Sequence, residues 1–202
     1  MNPSPKVPPA VRTSRRTFKG EIERGFIPKN NFISYHRIPY FVELQNTNSY
    51  HQTHKINMDI FFKEAINQAR KSLAEGGVPI GSVIEYQGKI LGKGHNQRVQ
   101  KGSVILHGEM DALENAGRQS ASVYEKATLY TTLSPCPMCS GAILLYKIPK
   151  VVIGENRTFT GSEELLRKNG VEVIILNNQE CKDLMAEFIA NKADVWNEDI
   201  GE

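Results

Sequence analysis

The sequence of 202 residues lacks any long apolar run, and this absence excludes one class of protein. Its apolar stretches, such as residues 142–146, extend for only about one and a half helical turns. A helix that crosses a membrane needs roughly 20 consecutive apolar residues. We therefore expect no membrane-spanning segment.

Cysteine is also scarce, and the three cysteines cannot all pair with one another. The first ten residues are rich in proline and lack the apolar stretch of a secretory signal. An oxidising compartment is therefore disfavoured, and we expect a cytoplasmic protein, with the nucleus as a second location. Cys136 and Cys139 have a spacing that indicates metal or redox chemistry, whereas Cys181 stands alone.

The charge is distributed unevenly and divides the chain into two regions. Residues 1–57 carry nine Lys or Arg against three Asp or Glu, a net charge of +6. Residues 58–202 carry sixteen against nineteen, a net charge of −3. A chain of this length has room for one large core. We therefore predict a basic N-terminal extension, 1–57, followed by one folded domain, 58–202.

The extension is rich in proline and polar residues and shows no sustained helical or alternating pattern. Such a segment buries too little apolar surface to compensate for the entropy lost on ordering, so we predict that most of it is disordered. The apolar residues within 31–44 leave two alternatives, a short docking strand and a loose loop. The basic stretch 12–19 has two alternative interpretations, a mitochondrial presequence and a weak nucleic-acid patch. A further alternative is that the natural protein starts at Met58.

From residue 58 onward, the apolar pattern predicts alternating helices and strands. It predicts a first helix that ends at Gly76 and a hairpin over 78–94. It then predicts four helices, over 107–116, 137–147, 162–168 and 179–191, and three strands, over 128–133, 150–154 and 171–176. Strands that alternate with helices after one hairpin imply a mixed sheet covered on both faces. The predicted fold class is α/β, a three-layer α/β/α sandwich with a mixed five-stranded central sheet.

His107, Cys136 and Cys139 have the residue types and spacing of a catalytic zinc site. Zinc binds imidazole and thiolate readily, and a site with three protein ligands keeps a fourth position for water, whose pKa the metal lowers towards neutrality. Glu109 follows His107 by two residues, so in a first helical turn its carboxylate can reach that water and transfer protons. Pro137 predicts a helix start at which both thiols face one ion.

Each part of this pattern has a simpler explanation when it is taken alone. A lone Cys-x-x-Cys is typical of a redox pair or of half a zinc ribbon. A redox pair would follow the first strand of a thioredoxin-like pattern, and a ribbon would need a second cysteine pair; the sequence has neither. Cys181 falls within the pattern of the last predicted helix, so we expect it to be inert. Together, the residues predict a catalytic Zn²⁺ site with three protein ligands.

His-x-Glu followed by Pro-Cys-x-x-Cys is the signature of zinc-dependent nucleobase deaminases. Residues 58–202 resemble one family in particular, the fungal cytosine deaminases of the cytidine and deoxycytidylate deaminase superfamily. The matching stretches are 76–81, 94–98, 106–109, 128–136, 154–156 and 196–202. The resemblance implies Zn²⁺ on His107, Cys136 and Cys139, with Glu109 as the catalytic proton shuttle.

The resemblance also implies a set of pyrimidine contacts. They are Ile80, Asn96, Gly108, Ser134, Phe159, Trp196 and Asp199. Apolar walls suit a flat neutral base, and amide and carboxylate groups suit its polar edge. Taken without the resemblance, these residues leave other roles open: core aromatics for Phe159 and Trp196, an exposed charge for Asp199 and a turn residue for Asn96.

The implied activity is hydrolytic deamination of cytosine to uracil and ammonia, a step of pyrimidine salvage, by a homodimer that also accepts 5-fluorocytosine. The main alternatives are a tRNA adenosine deaminase or nucleoside deaminase, which share the signature, and a zinc-stabilised binding module. The domain has a net negative charge and no evident basic surface for binding phosphates, so we do not expect a nucleic-acid partner. Trp196 and Asp199 favour a free base, since they would crowd a ribose. The presence of Glu109 disfavours the binding module, because a metal site with a purely structural role would not need this carboxylate.

Overall fold

The computed structural model describes the backbone of residues 46–202 and the side chains of residues 60–202. The predictions made for residues 1–45 therefore lie outside the described residues. The first helix, α1 (Asn46–Ala74), begins twelve residues before the predicted start at 58. Extending an existing helix costs less free energy than nucleating one, so weakly helical residues can lengthen a helix whose later turns are packed.

The remaining elements follow the predicted alternation of strands and helices. In chain order they are β1 (Gly81–Tyr86), β2 (Lys89–His95), α2 (Arg98–Lys101), α3 (Gly108–Ala116), α4 (Ala121–Tyr124), β3 (Thr128–Leu133), α5 (Pro137–Leu145), β4 (Lys150–Glu155), α6 (Glu163–Lys168), β5 (Glu172–Ile175), α7 (Gln179–Asn191) and α8 (Ala193–Ile200). The sequence does not predict α2, α4 and α8. Of these, α2 and α4 have only four residues each, which is about one turn and too short to show a period.

The five strands form one mixed sheet in the order β2-β1-β3-β4-β5. β1 pairs antiparallel with β2 and β3, whereas β3, β4 and β5 are parallel neighbours. Parallel neighbours need a crossover, which α5 and α6 supply. Within the described chain, no helix is long and apolar enough to cross a membrane.

Helices cover both faces of the sheet, and the alternation of side chains along each strand decides which layer a residue contacts. Ile84 and Leu129 pack with α3, α5 and α6 in one core, and we call this side the α3 face. Val83 and Tyr130, their neighbours in the same strands, pack with α1 and α7 in the other core, the α1 face. The predicted three-layer sandwich is confirmed.

Close packing of β2 against α3 holds the first turn of α3 in place. A Cβ atom on Gly92 or Gly94 would overlap the backbone of α3 at Ala112, so glycine is needed for this approach. A hydrogen bond adds a polar connection, because the backbone N–H of His95 donates to Oδ2 of Asp111 at 3.0 Å. The start of α3 is thereby fixed against the sheet.

Candidate active site

The three predicted metal ligands come together at the starts of two helices. His107 is the N-cap of α3, Cys136 is the N-cap of α5, and Cys139 lies in the first turn of α5. Nδ1 of His107 lies 3.4 Å from Sγ of Cys136 and 3.8 Å from Sγ of Cys139. A tetrahedral zinc ion separates nitrogen and sulfur ligands by about 3.6 Å, given bond lengths of about 2.1 and 2.3 Å. The group therefore fits Zn²⁺, as predicted.

The local sequence explains this arrangement. Pro137 occupies the first turn of α5, where a missing N–H leaves no hydrogen bond unmade. The pKa of Cys136 is lowered to about 4, mainly by the hydrogen bond from the Cys139 thiol. A hydrogen bond with His107 lowers it further, whereas burial acts in the opposite direction. The hydrogen bond between the two cysteines, together with burial, raises the pKa of Cys139. Cys136 and Cys139 would hold Zn²⁺ as thiolates, so the proton on Cys139 would have to leave when the metal is bound.

Glu109 lies beside the ligands without belonging to the three-residue group. It is buried in the first turn of α3, and the Thr131 hydroxyl donates a hydrogen bond to its Oε1 at 3.1 Å. Its Oε2 lies 3.5 Å from Sγ of Cys139. Burial, followed by the negative charge of Cys136, raises the pKa of Glu109. A carboxyl group with a raised pKa is suited to exchange protons near neutral pH.

A cavity of about 300 Å³ opens directly beside the ligands and Glu109. Its walls come from the residue before β1, the end of β3, the loop after β4, and α8. The rings of Phe159 and Trp196 meet edge to face, with centroids 6.3 Å apart. Five of the seven predicted substrate contacts line this cavity: Ile80, Ser134, Phe159, Trp196 and Asp199.

The other two predicted contacts, Asn96 and Gly108, are buried and do not line this cavity. The Asn96 amide donates to both carboxylate oxygens of Asp199, at 3.1 and 2.9 Å, so in this structure it orients Asp199. Gly108 lies under the cavity, where a Cβ atom would stand 3.2 Å from the backbone oxygen of Ile80. Their direct contact with a pyrimidine stays a prediction.

Arg98 is a further residue of the cavity wall that sequence reasoning missed. Its guanidinium group donates to the backbone oxygens of Glu198 and Asp199, at 3.2 and 2.8 Å, and to the Asp199 carboxylate at 3.2 Å. A cation at the end of a helix satisfies carbonyl groups that have no partner within the helix. Arg98 therefore holds the last turn of α8 at the cavity, and nothing in its local sequence indicates this role.

The loop that carries Phe159 is fastened at both ends. The Ser134 hydroxyl donates to Oε1 of Glu163 at 2.8 Å and accepts from the backbone N–H of Gly161 at 3.0 Å. The Glu155 carboxylate accepts from the backbone N–H groups of residues 157 and 158, at 2.7 and 3.0 Å. These bonds place Phe159 opposite Trp196.

Comparisons with known proteins agree with this site. Residues 56–155 match the cytidine and deoxycytidylate deaminase zinc-binding region. The chain is 62% identical over 139 residues to the cytosine deaminase of Candida albicans, an alignment that covers 68% of this chain and 93% of that protein. It is 42% identical over 107 residues to the tRNA-specific adenosine deaminase of Streptococcus pyogenes serotype M18, which covers 52% of this chain and 67% of that protein.

The fold has solved relatives as well. The structure of a Thermotoga maritima diaminohydroxyphosphoribosylaminopyrimidine deaminase/5-amino-6-(5-phosphoribosylamino)uracil reductase superposes with a TM-score of 0.57 and 30% identity. That superposition covers 70% of this chain and 42% of the Thermotoga chain. From these matches, the chain belongs to the zinc-binding cytidine and deoxycytidylate deaminase family, as its resemblance to cytosine deaminases predicted.

Proposed function

We propose that this protein is a zinc-dependent cytosine deaminase, which converts cytosine and water to uracil and ammonia. The observation that carries the proposal is the small cavity beside the ligands and Glu109, with Trp196 and Asp199 in its wall. Its volume of about 300 Å³ is at the lower end of the range for small-molecule sites, which suits a single base. The identity to the Candida protein over nearly its whole length supports the same substrate.

The residues divide the chemistry between them. His107, Cys136 and Cys139 would hold Zn²⁺, which when bound makes water a nucleophile at neutral pH. Glu109 accepts a proton from the attacking water, whose oxygen forms a bond to C4 of the base. The same carboxyl group donates this proton to N3. It then takes the second proton from the new hydroxyl group on C4 and donates it to the departing amine, as the bond between C4 and the amine breaks and the C4 carbonyl forms. A single buried carboxylate thus serves first as base and then as acid.

Recognition of the base is a second task of the cavity. Ile80, Phe159 and Trp196 offer apolar surfaces to a flat, neutral ring. The Asp199 carboxylate, oriented by Asn96 and Arg98, is an acceptor for N–H groups on the edge of the base. A ribose would need additional room at this wall, so we expect the enzyme to prefer the free base. 5-Fluorocytosine, which differs from cytosine by one small substituent, should also be accepted.

Ammonia release from purified zinc-loaded protein tests the proposal. We expect release from cytosine and 5-fluorocytosine and none from cytidine or from an RNA stem-loop that contains adenosine. Release from cytidine alone would identify a nucleoside deaminase, and release from the RNA alone would identify a tRNA adenosine deaminase. Folded, zinc-loaded protein without activity on any of the four would support a binding module.

We further propose that the active form is a homodimer. Two exposed apolar side chains support this, Leu145 on α5 and Val104 beside the cavity, which are 73% and 78% exposed. Val104 lines the substrate cavity, so a second copy that covered Val104 would border that cavity. Light scattering should report a dimer for the parent and a monomer for Leu145→Asp. Ile60→Asp, on the exposed side of α1, is the matched control and should remain dimeric. A monomeric, active parent would refute the proposal.

A further inference from the structure

Behind Glu109, a pair of buried hydroxyl groups extends from the centre of the sheet towards the carboxylate. We propose that Ser82 and Thr131 are positioning residues, which hold the Glu109 carboxylate in the orientation needed for proton transfer. The inference deepens the proposed deaminase function and rests on the role of Glu109 in it. It concerns two residues that do not line the cavity.

The hydrogen bonds run in one direction. Oγ1 of Thr131 lies 3.1 Å from Oε1 of Glu109, and Oγ of Ser82 lies 3.0 Å from Oγ1 of Thr131. An ionised carboxylate can only accept, so the single Thr131 proton is directed at Glu109. Thr131 can then only accept from Ser82, whose hydroxyl is the donor. Each hydroxyl therefore has a defined partner, and the pair ends at the carboxylate.

The sheet holds the two hydroxyl groups in register. Ser82 of β1 and Thr131 of β3 lie directly opposite each other in the antiparallel ladder. Both side chains are fully buried on the α3 face, which Ile84 and Leu129 otherwise fill with apolar groups. The branched Cβ of Thr131 restricts its rotamers, and cross-strand hydroxyl pairs contribute to sheet stability. The pair is thus a rigid base for whatever it contacts.

Polar groups at these two positions need an explanation, because burying a hydroxyl costs free energy unless it is hydrogen-bonded. Valine has nearly the shape of threonine and would fill the Thr131 position without that cost. The partner that Thr131 satisfies is the carboxylate of Glu109, a side chain that is only 3% exposed. We therefore infer that the two hydroxyl groups serve to bind the Glu109 carboxylate and not to pack the sheet.

The two oxygens of the carboxylate have different surroundings. Oε1 is held by Thr131, whereas Oε2 lies 3.5 Å from Sγ of Cys139, on the side of the metal ligands. With Oε1 fixed on the strand, Oε2 is directed to the place where protons are exchanged. Loss of the anchor frees the long glutamate side chain to rotate, and small displacements of a catalytic group can reduce a rate strongly.

Four variants test the inference by steady-state kinetics and metal analysis. Thr131→Val removes the hydroxyl with little change of shape, and we expect kcat for cytosine to fall about tenfold to a hundredfold. KM and zinc content should stay close to the parent values, because the cavity wall and the ligands are untouched. Thr131→Ser keeps the hydroxyl and should recover most of the rate. Ser82→Ala, which removes the outer donor, should cause a smaller loss.

Thr132→Val is the matched control. Thr132 is the next residue of β3, is also buried, and its hydroxyl accepts from the backbone N–H of Gly81 at 3.1 Å. We expect this variant to lose stability while it keeps kcat. The inference is overturned if Thr131→Val retains kcat within about twofold of the parent, or if Thr131→Ser loses as much as Thr131→Val. If Thr131→Val does not fold, the kcat values of Ser82→Ala and Thr132→Val are compared instead. The inference then requires a lower kcat in Ser82→Ala than in Thr132→Val.

A second readout separates this inference from the proposed function. Crystal structures of the zinc-loaded Thr131→Val and Thr131→Ser proteins report the Glu109 carboxylate directly, whatever the activity. We expect it to be displaced in the first variant and to keep the parent position in the second. Parent protein that does not deaminate cytosine would refute the proposed substrate, while an undisplaced carboxylate in Thr131→Val would refute the positioning role.

Discussion

The two faces of the central sheet both bury an apolar core, yet Cys181 in one layer and Cys136 in the other have pKa values shifted in opposite directions. Cys181 packs against the α1 face among aromatic and aliphatic side chains, and burial raises its pKa to about 12. Cys136, at the start of α5 in the other layer, has its pKa lowered to about 4, chiefly by the hydrogen bond from Cys139. Cys181 is buried and Cys136 is half-buried, and only Cys136 has a thiol and an imidazole as hydrogen-bond partners, which favour the thiolate.

The same contrast holds for the strands themselves. Within β1 and β3, Val83 and Tyr130 contribute to the apolar α1 face, whereas the adjacent Ser82 and Thr131 face Glu109 on the other side. One residue of displacement along a strand changes the face and therefore the chemistry. The α3 face supports the reactive groups, and the α1 face supplies stability without reactive neighbours.

The largest expected effect comes from exchanging a cysteine in each layer. Cys139→Ala should reduce bound zinc from about one ion per chain to almost none, abolish activity and lower the unfolding temperature, since metal binding contributes to folding free energy. Cys181→Ala should keep zinc and activity and lose only about 1–2 kcal/mol of stability. Elemental analysis and thermal unfolding measure both. Full zinc retention in Cys139→Ala would contradict the ligand assignment.

Removal of the Glu109 charge should affect the rate without affecting the metal. Glu109→Gln keeps the size of the side chain, and we expect kcat to fall at least about a hundredfold because a general base is lost. Zinc content should be unchanged, since Glu109 is not among the ligands. Glu114→Gln, on the exposed side of the same helix, is the control and should retain full activity. Activity of Glu109→Gln within about tenfold of the parent would defeat the assignment.

Variants of an aromatic side chain in the cavity wall and of one on the α1 face should also have different effects. Trp196→Ala enlarges the cavity, and we expect kcat/KM for cytosine to fall about tenfold to a hundredfold, mainly through KM. Phe61→Leu alters an aromatic contact with Tyr130 on the α1 face and should lower the unfolding temperature while KM is unchanged. Kinetics and thermal unfolding of both variants give the comparison. An unchanged KM in Trp196→Ala would remove Trp196 from the substrate site.

The smallest expected effect is the response of the α1 face to alkaline pH. Burial raises the pKa of Cys181 from 9.0 to about 12, and burial, with the nearby Glu85 charge, raises that of Tyr130 from 10.0 to about 12. The unfolded chain therefore loses these protons first, so stability should fall as the pH rises from about 9 towards 12. Denaturant unfolding of the parent and Cys181→Ala at several pH values checks this. An identical pH dependence in the two proteins would contradict the role of Cys181.

Much of the site could be predicted because its residues are close in sequence to helix starts. The spacing of Cys136 and Cys139 around Pro137 predicted two thiols on one helical turn, and the structure places them there. Strand β3 and helix α7 have the predicted bounds. Ser82 and Thr131 could also have been noticed in the sequence, because a hydroxyl group on the inward side of a strand interrupts the apolar alternation. We did not predict the pair, since neither residue identifies its partner.

The sequence by itself determined the fold class and the donor set, because strand alternation, helix starts and ligand spacing are local properties that a few neighbouring residues encode. Only the tertiary structure decided that α8 forms and stands at the cavity, that Arg98 holds it, and that two hydroxyl groups support Glu109. Arg98 and Asp199 are 101 positions apart, and Thr131 and Glu109 are 22 apart. Contacts of that kind depend on how whole elements pack, and no local pattern records them.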